Sequence, residues 1–291
     1  MESQGVTRPT MDGTMFKKFT DFIYDKTGIR FEESKNYFLT SKVLRRSEKL
    51  GLKSYEEYFN YLTTNVDRRQ EVEKFIDIIT IHETFFYRNE PQIKSFEKDV
   101  LAPLVVRKKG GKIRIWSAAC STGDEVYTTI FQFLQHGWLK DVKLEIVGSD
   151  ISHQAVEDAQ KGVYSEYAIR NVPQDLKNKY FKDVGTRQAA LGEDIKRMAT
   201  FKAVNLKEPS QTRALGKFDI VLCRNVLIYF DHAAKEQVLW NIYDALADDG
   251  LLLVGHSENL YGYKHIFQAQ KELSGCFAYK KAPPGTEKLH V

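Results

Sequence analysis

IRIWSAACSTGDE, residues 113–125, is the stretch that decides the fold. Its first four residues read as a strand, and from Ser117 to Glu125 the chain becomes a loop of small residues that opens a helix and lets backbone approach a ligand closely. About 25 residues on, a second apolar run (Leu144 to Val147, within IVGSD) ends at Asp150, whose carboxylate can accept both hydroxyls of a ribose laid across strand ends. The loop holds Gly123 alone, not G-x-G-x-x-G, and Asp124 and Glu125 put anions where a pyrophosphate would sit. A cationic, methionine-like nucleoside tolerates those acids. The expected ligand is therefore S-adenosylmethionine, with Glu125 either accepting its ammonium group or steadying the loop. The plainer roles are a helix-start acid for Glu125 and a strand-end turn for Asp150.

Outward from this core, short apolar runs alternate with helical stretches. Strands are expected at Phe201 to Val204, Phe218 to Cys223 and Leu251 to Val254, and helices at Glu125 to Gln135, Ser152 to Gln160 and His232 to Ala247. Near-continuous apolar strands such as FDIVLC fit a mainly parallel sheet covered on both faces, so the class is α/β, Rossmann-like. Residues 178–203, broken by Gly185 and Gly192, depart from the alternation and read as a small inserted subdomain. Upstream, Phe16, Phe19 and Ile23, then Tyr55, Tyr58, Phe59 and Leu62, recur at helical spacing and predict an all-helical domain over 15–80. A disordered leader (1–14), a linker or lid (81–95), the catalytic domain (96–283) and a flexible tail (284–291) complete the expected organisation. The basic run KVLRRSEKLGLK (residues 42–53), with Gly51 as helix stop, is either a solvated face or a docking surface around Arg45 and Arg46 for an acidic partner.

Composition narrows the class. With 42% hydrophobic residues among 291, the chain can build a sizeable core, and no apolar run nears the roughly 20 residues that span a bilayer, so no membrane insertion is expected. The first residues lack the apolar core of a secretory signal, pointing to the cytoplasm. A net charge of +4 makes no demand for nucleic acid. Cys120, Cys223 and Cys276 are too scattered for a metal site or disulfide framework and read as buried thiols.

Two further clusters bear on chemistry. In CRNVLIYF (223–230) an apolar strand ends in Arg224 and Asn225 on the edge that carries Asp150; Asn225 offers amide groups and Tyr229 a hydroxyl to orient a nucleophile, while Arg224 as a structural ion-pair partner and Tyr229 as packing are the alternatives. In TIHETFFYR (80–88), three aromatics and Arg88 are expected either to close over the cofactor as a lid or to cement the helical domain onto the sheet. A nucleic-acid methyltransferase, the rival that shares the fold, often uses an Asn-Pro-Pro-Tyr-like element or a nucleophilic Cys to handle a flipped base, whereas the corresponding edge here reads Arg224-Asn225-Val226. A noncatalytic cofactor sensor is the rival from a different class.

Taken together, ETFFYR, ACSTGDE, CRNVLIYF and GHSENL (255–260), in that order, resemble the motifs of the CheR family of chemotaxis receptor glutamate methyltransferases over about residues 15 to 281. His82 stands where the family has Asn, Tyr87 replaces its second Phe and Val126 a common Pro. The resemblance implies an all-helical N-terminal domain, a Rossmann-like S-adenosylmethionine methyltransferase domain, and a small inserted β-subdomain that can touch the receptor. It implies cofactor contacts at His82, Thr84, Arg88, Glu125, Asp150, Asn205, Leu206, Arg224 and Asn225, and catalytic roles for Arg88 and Tyr229. The implied substrates are glutamates on the cytoplasmic helices of methyl-accepting chemotaxis receptors, with S-adenosylhomocysteine as coproduct and a monomeric enzyme.

Overall fold

The structure is a computed structural model that describes residues 11–66, 68–270 and 277–283, and the chain divides into two compact units, 1–81 and 82–291. The first is helical: α1 (Gly13–Thr27), α2 (Asn36–Lys49), α3 (Tyr55–Thr64) and α4 (Arg68–Ile79). Phe16, Phe19 and Ile23 of α1 meet Leu39 and Val43 of α2, Tyr58 and Leu62 of α3 and Phe75 of α4 in one core, as their helical spacing requires. Two expectations are corrected here. The leader does not extend to residue 14: Met11 is buried and bonds Thr40 through its amide, and Asp12 caps α1 by accepting from the Met15 amide at 2.8 Å. Residues 1–10, the rest of the expected leader, lie outside the described residues.

Nor is Arg46 part of an open basic face. Its Nε donates to Glu71 Oε1 at 2.8 Å, the Tyr58 hydroxyl donates to the same oxygen, and the Glu71 side chain is 5% exposed. Arg46 is the counter-ion of a buried carboxylate, a role that periodicity does not reveal because Glu71 lies on another helix. The chain does leave α2 through Gly51, at φ 72°, as expected.

The second unit starts with a helical stretch, α5 (Glu90–Ser95), a π turn (Phe96–Leu101) and α6 (Ala102–Arg107). Next come β1 (Lys112–Ala118), α7 (Asp124–Gln135), β2 (Lys143–Asp150), α8 (His153–Lys161), β3 (Val163–Ser165), α9 (Gln174–Tyr180), β4 (Phe181–Gly185) and β5 (Gln188–Leu191). They are followed by α10 (Glu193–Lys196), β6 (Ala199–Ala203), α11 (Pro209–Arg213), β7 (Phe218–Cys223), α12 (His232–Ala245), β8 (Leu246–Val254), β9 (Phe267–Ala269) and β10 (Phe277–Lys281). The main sheet runs β6-β2-β1-β7-β8-β10-β9, parallel from β6 to β8, with β10 antiparallel to both its neighbours.

Side-chain alternation along the strands covers both faces. Ile113, Ile115, Ile220, Leu222 and Leu253 pack with Val126, Ile130 and Phe133 of α7, whereas Trp116, Ala118, Val221, Cys223, Leu252 and Val254 pack with Val238, Leu239 and Ile242 of α12. The chain runs outward from β1 to β2 and β6, then returns to place β7 on the other side of β1. The crevice above the carboxyl ends of β1 and β7 is therefore the switch point at which such sheets bind ligands.

A second, three-stranded antiparallel sheet, β3-β5-β4, lies between α8 and β6 in sequence. The inserted subdomain thus begins at Val163 rather than at residue 178, and the strand ending at Ala203 belongs to the main sheet, where it pairs with β2. Among the described residues no helix is long and apolar enough to cross a membrane. Cys120 and Cys223 are buried free thiols, no group of side chains there could hold a metal, and Cys276 lies outside the described residues.

Candidate cofactor and active site

Between β1 and α7 the loop takes a conformation that L residues adopt at a cost: Ala119 and Ser121 both have positive φ, at 61° and 50°. Gly123, at φ 87°, sits where an added Cβ would lie 3.0 Å from the Phe201 ring, so glycine there permits both the turn and the packing. What holds the loop in place is Asp150 at the end of β2. Its Oδ2 accepts the Ser121 amide at 2.8 Å and its Oδ1 the Ser152 amide at 3.0 Å. Burial raises the carboxyl above its ordinary value, against these two amides and the nearby His82, which favour the charged form. Asn205 and Leu206 arrive beside it, because the Val204 amide donates to the Asp150 carbonyl at 2.8 Å. Asn205 caps its own turn through Lys207, and the Leu206 carbonyl accepts from Asn241.

Glu125 is not left open to a ligand ammonium. Its Oε1 accepts from the Ser117 hydroxyl and its Oε2 from Arg224 Nη1, both at 2.7 Å, and the Arg224 side chain is 7% exposed. Arg224 also donates through Nε to Gln92 Oε1 at 3.0 Å and through Nη2 to the Arg88 carbonyl at 2.8 Å. One guanidinium thus ties the end of β7 to α7, α5 and the segment before α5, using the fork that lysine lacks. Gln92 passes the link on to β8, its Nε2 donating to the Val254 carbonyl.

Asn225, at φ 59°, is held by a residue that the sequence reading quoted in GHSENL and gave no role. Glu258, 5% exposed, accepts the amides of Asn225, Gly255 and Leu227 at 2.7, 2.7 and 2.8 Å, which staples the ends of β7 and β8 together. A Cβ at Gly255 would lie 2.6 Å from that carboxylate. Gln92 and Glu258 are the two site-building residues that sequence reasoning missed; a buried glutamate inside a motif after an apolar strand is the one signal that pointed to the second.

The segment from His82 to Arg88 lies against this assembly. Phe86 is fully buried among Phe131, Tyr164 and Phe181, its amide donating to Ala168, which anchors the segment to α7 and the inserted sheet. Thr84 lines a cavity of about 440 Å³ together with Thr122 of the loop and Tyr164 and Tyr167 of the insert. Arg88 is half-buried; its Nη1 donates to the Glu83 carbonyl at 2.6 Å and its guanidinium lies 5.8 Å from the Phe85 ring centre. Tyr229, on a short turn after β7, is close enough to Arg88 for that charge to oppose the upward shift that burial gives its phenol.

The donors and charges fit S-adenosylmethionine. Asp124, Glu125 and Asp150 surround the loop with Arg224 as counter-ion, and two buried polar atoms there, Ser121 Oγ and Asp124 Oδ1, have no protein partner. An ammonium or sulfonium is stabilised by that surplus of carboxylate and a phosphate is repelled. Asp124 carries the strain of it: wholly buried, its carboxyl is pushed up from 3.8 to about 6 by desolvation, against the Thr122 hydroxyl and an amide that favour its charged form. The folded chain therefore holds a proton there that the unfolded chain has released, and stability falls as pH rises from about 4 to 6. Asp124→Asn is expected to stabilise the ligand-free protein at pH 7 by about 1–3 kcal/mol and to flatten that decline; thermal melts from pH 4 to 8 that match the wild type would rule this out.

A Rossmann-like sheet with a strained, acid-rimmed loop facing a strand-end aspartate at its switch point defines an S-adenosylmethionine-dependent methyltransferase. Residues 82–275 match the model of the CheR methyltransferase SAM binding domain, and residues 14–80 that of the CheR methyltransferase all-alpha domain. The chain belongs to the CheR methyltransferase family. It is 35% identical over 269 residues to chemotaxis protein methyltransferase 2 of Vibrio cholerae, covering 92% of this chain and 93% of that one. To the chemotaxis protein methyltransferases of Borreliella burgdorferi and Salmonella typhimurium it is 32% and 30% identical, covering 84% and 96% of this chain and 87% and 95% of theirs. The fold class, the cofactor and the family expected from the sequence are borne out.

Proposed function

We propose that the chain transfers the methyl group of S-adenosylmethionine to glutamate carboxylates on the cytoplasmic helices of chemotaxis receptors, giving glutamyl methyl esters and S-adenosylhomocysteine. The observation that carries this reading is Arg88, its carbonyl held by the Arg224 anchor: a guanidinium with no carboxylate partner among the described residues, whose charge is felt at the Tyr229 phenol. Such a pair suits an anionic oxygen nucleophile. The names of the relatives add chemotaxis, and a receptor carboxylate joins the two.

S-adenosylmethionine supplies a methyl group on a cationic sulfur. The chain's own residues need only bring a carboxylate into line with it, because a glutamate of ordinary pKa near 4.3 is already ionised at neutral pH and needs no general base. Arg88 pairs with the incoming carboxylate, and Tyr229, whose phenol burial keeps protonated, donates a hydrogen bond that fixes its direction. Since negative charge disappears as the ester forms, too strong a grip by Arg88 would slow the reaction; a half-exposed guanidinium shared with the Glu83 carbonyl avoids that. Cys120 and Cys223 take no part as nucleophiles, since burial holds both thiols well above their ordinary value.

The test is to incubate the protein with methyl-labelled cofactor and receptor-bearing membranes, then treat the product with mild alkali. Label that appears on the receptor and is released as methanol supports the reading. Label that resists alkali, or none, overturns it.

A further inference from the structure

The inserted sheet brings a second arginine to the mouth of the site. Arg170, exposed on the loop between β3 and α9, is wedged against two aromatic rings set at 67° to each other, 3.8 Å from the centre of Phe85 and 3.7 Å from that of Tyr167, and its Nη1 donates to the Tyr167 carbonyl at 2.6 Å. Phe85 also carries Arg88 at 5.8 Å. One ring therefore serves two guanidinium groups, one from the segment before α5 and one from the insert. Among the described residues neither has a carboxylate within ion-pairing distance, whereas Arg46 and Arg224 each hold one. Two like charges gathered on one ring repel each other. The ring contacts and the backbone bonds hold them there, which preorganises the pair for an anion supplied from outside. Space for a partner lies alongside, in the cavity lined by Thr84, Tyr167 and Ala168.

We infer that Arg170 is a positioning residue for the protein substrate: it receives a second carboxylate of an acidic segment while Arg88 receives the one to be methylated. The inference rests on the carboxylate-directed reading above and adds to it a second carboxylate of the substrate and the residue that receives it. A substrate helix with acids one turn apart presents two carboxylates on one face, as this rim requires.

Arg170→Glu, Arg170→Gln and Arg170→Lys, made in the full chain, test it through initial rates on receptor-bearing membranes and calorimetric titration of S-adenosylhomocysteine. The expected result is a KM for receptor raised about tenfold in Arg170→Gln and further in Arg170→Glu, shrinking as salt is added, with largely restored binding in Arg170→Lys. Saturating turnover and S-adenosylhomocysteine affinity stay within about twofold of the wild type, since Arg170 has no bond to the loop or to Arg224. An unchanged KM in Arg170→Glu overturns the inference. So does a parallel loss of turnover, coproduct affinity and melting temperature, which would make Arg170 a cement for the Phe85 segment. Wild type run alongside separates the two claims: alkali-labile label with an unchanged variant KM removes Arg170 alone, whereas no label from the wild type removes the carboxylate reading and the rim with it.

Discussion

Arg224→Ala is expected to lose S-adenosylhomocysteine binding by more than about a hundredfold and to lower the melting temperature by about 10 °C. The side chain is almost completely buried and makes three directed bonds, to Glu125, Gln92 and the Arg88 carbonyl. Truncation leaves the Glu125 carboxylate, 15% exposed, with only the Ser117 hydroxyl as partner. Breaking one side of a buried ion pair costs about 3–5 kcal/mol, because the remaining charge is neither solvated nor matched. The loss then spreads to α7, α5 and the segment before α5, the elements that frame the loop. Arg224→Lys should recover part of the stability through the charge but not the cofactor affinity, since an ammonium cannot serve three acceptors in a fixed plane. Wild-type coproduct affinity in Arg224→Ala, measured by calorimetry, would show that the loop is set without this anchor.

Arg88→Ala has the opposite profile. Turnover on receptor is expected to fall roughly a hundred- to a thousandfold, the cost of losing the group that holds the carboxylate in line with the methyl carbon. Coproduct affinity should change by less than about threefold. The reason is geometric: the bond that ties this segment to Arg224 uses the Arg88 carbonyl, which alanine keeps, while the guanidinium lies over Phe85 and bonds the Glu83 carbonyl. Side-chain truncation therefore separates the two functions of one residue. Single-turnover rates with prebound cofactor check this, and an Arg88→Ala enzyme of normal turnover would remove the side chain from the chemistry.

The central parallel strands were legible in the sequence because runs such as IVGSD and FDIVLC are near-continuously apolar and end at polar residues, and Asp150 and the small-residue loop follow from where two of the strands stop. What escaped was mostly non-local. The inserted sheet begins 15 residues earlier than expected because β3 is only three residues long and its partner, Gln188–Leu191, lies far along the chain, so no local period announces it. β9 and β10 were missed for a related reason, as short antiparallel strands at the sheet's edge. Arg46 read as part of a basic face until its partner appeared on another helix, while Glu258 and Gln92 act by stapling elements that are distant in sequence. The resemblance supplied the site residues; the structure added that Glu125 and Arg224 form one ion pair, so their removal cannot be read as loss of two independent cofactor contacts.

Carboxylate-directed methyl transfer is most directly tested by locating the transferred methyl group. Receptor incubated with enzyme and S-adenosylmethionine is digested, and the modified residue is identified by tandem mass spectrometry before and after mild alkali. The expected result is methyl on glutamate side chains, lost on alkali treatment and reduced roughly a hundredfold or more at matched times with Arg88→Ala. Methyl on a nitrogen or sulfur atom, stable to alkali, would contradict it.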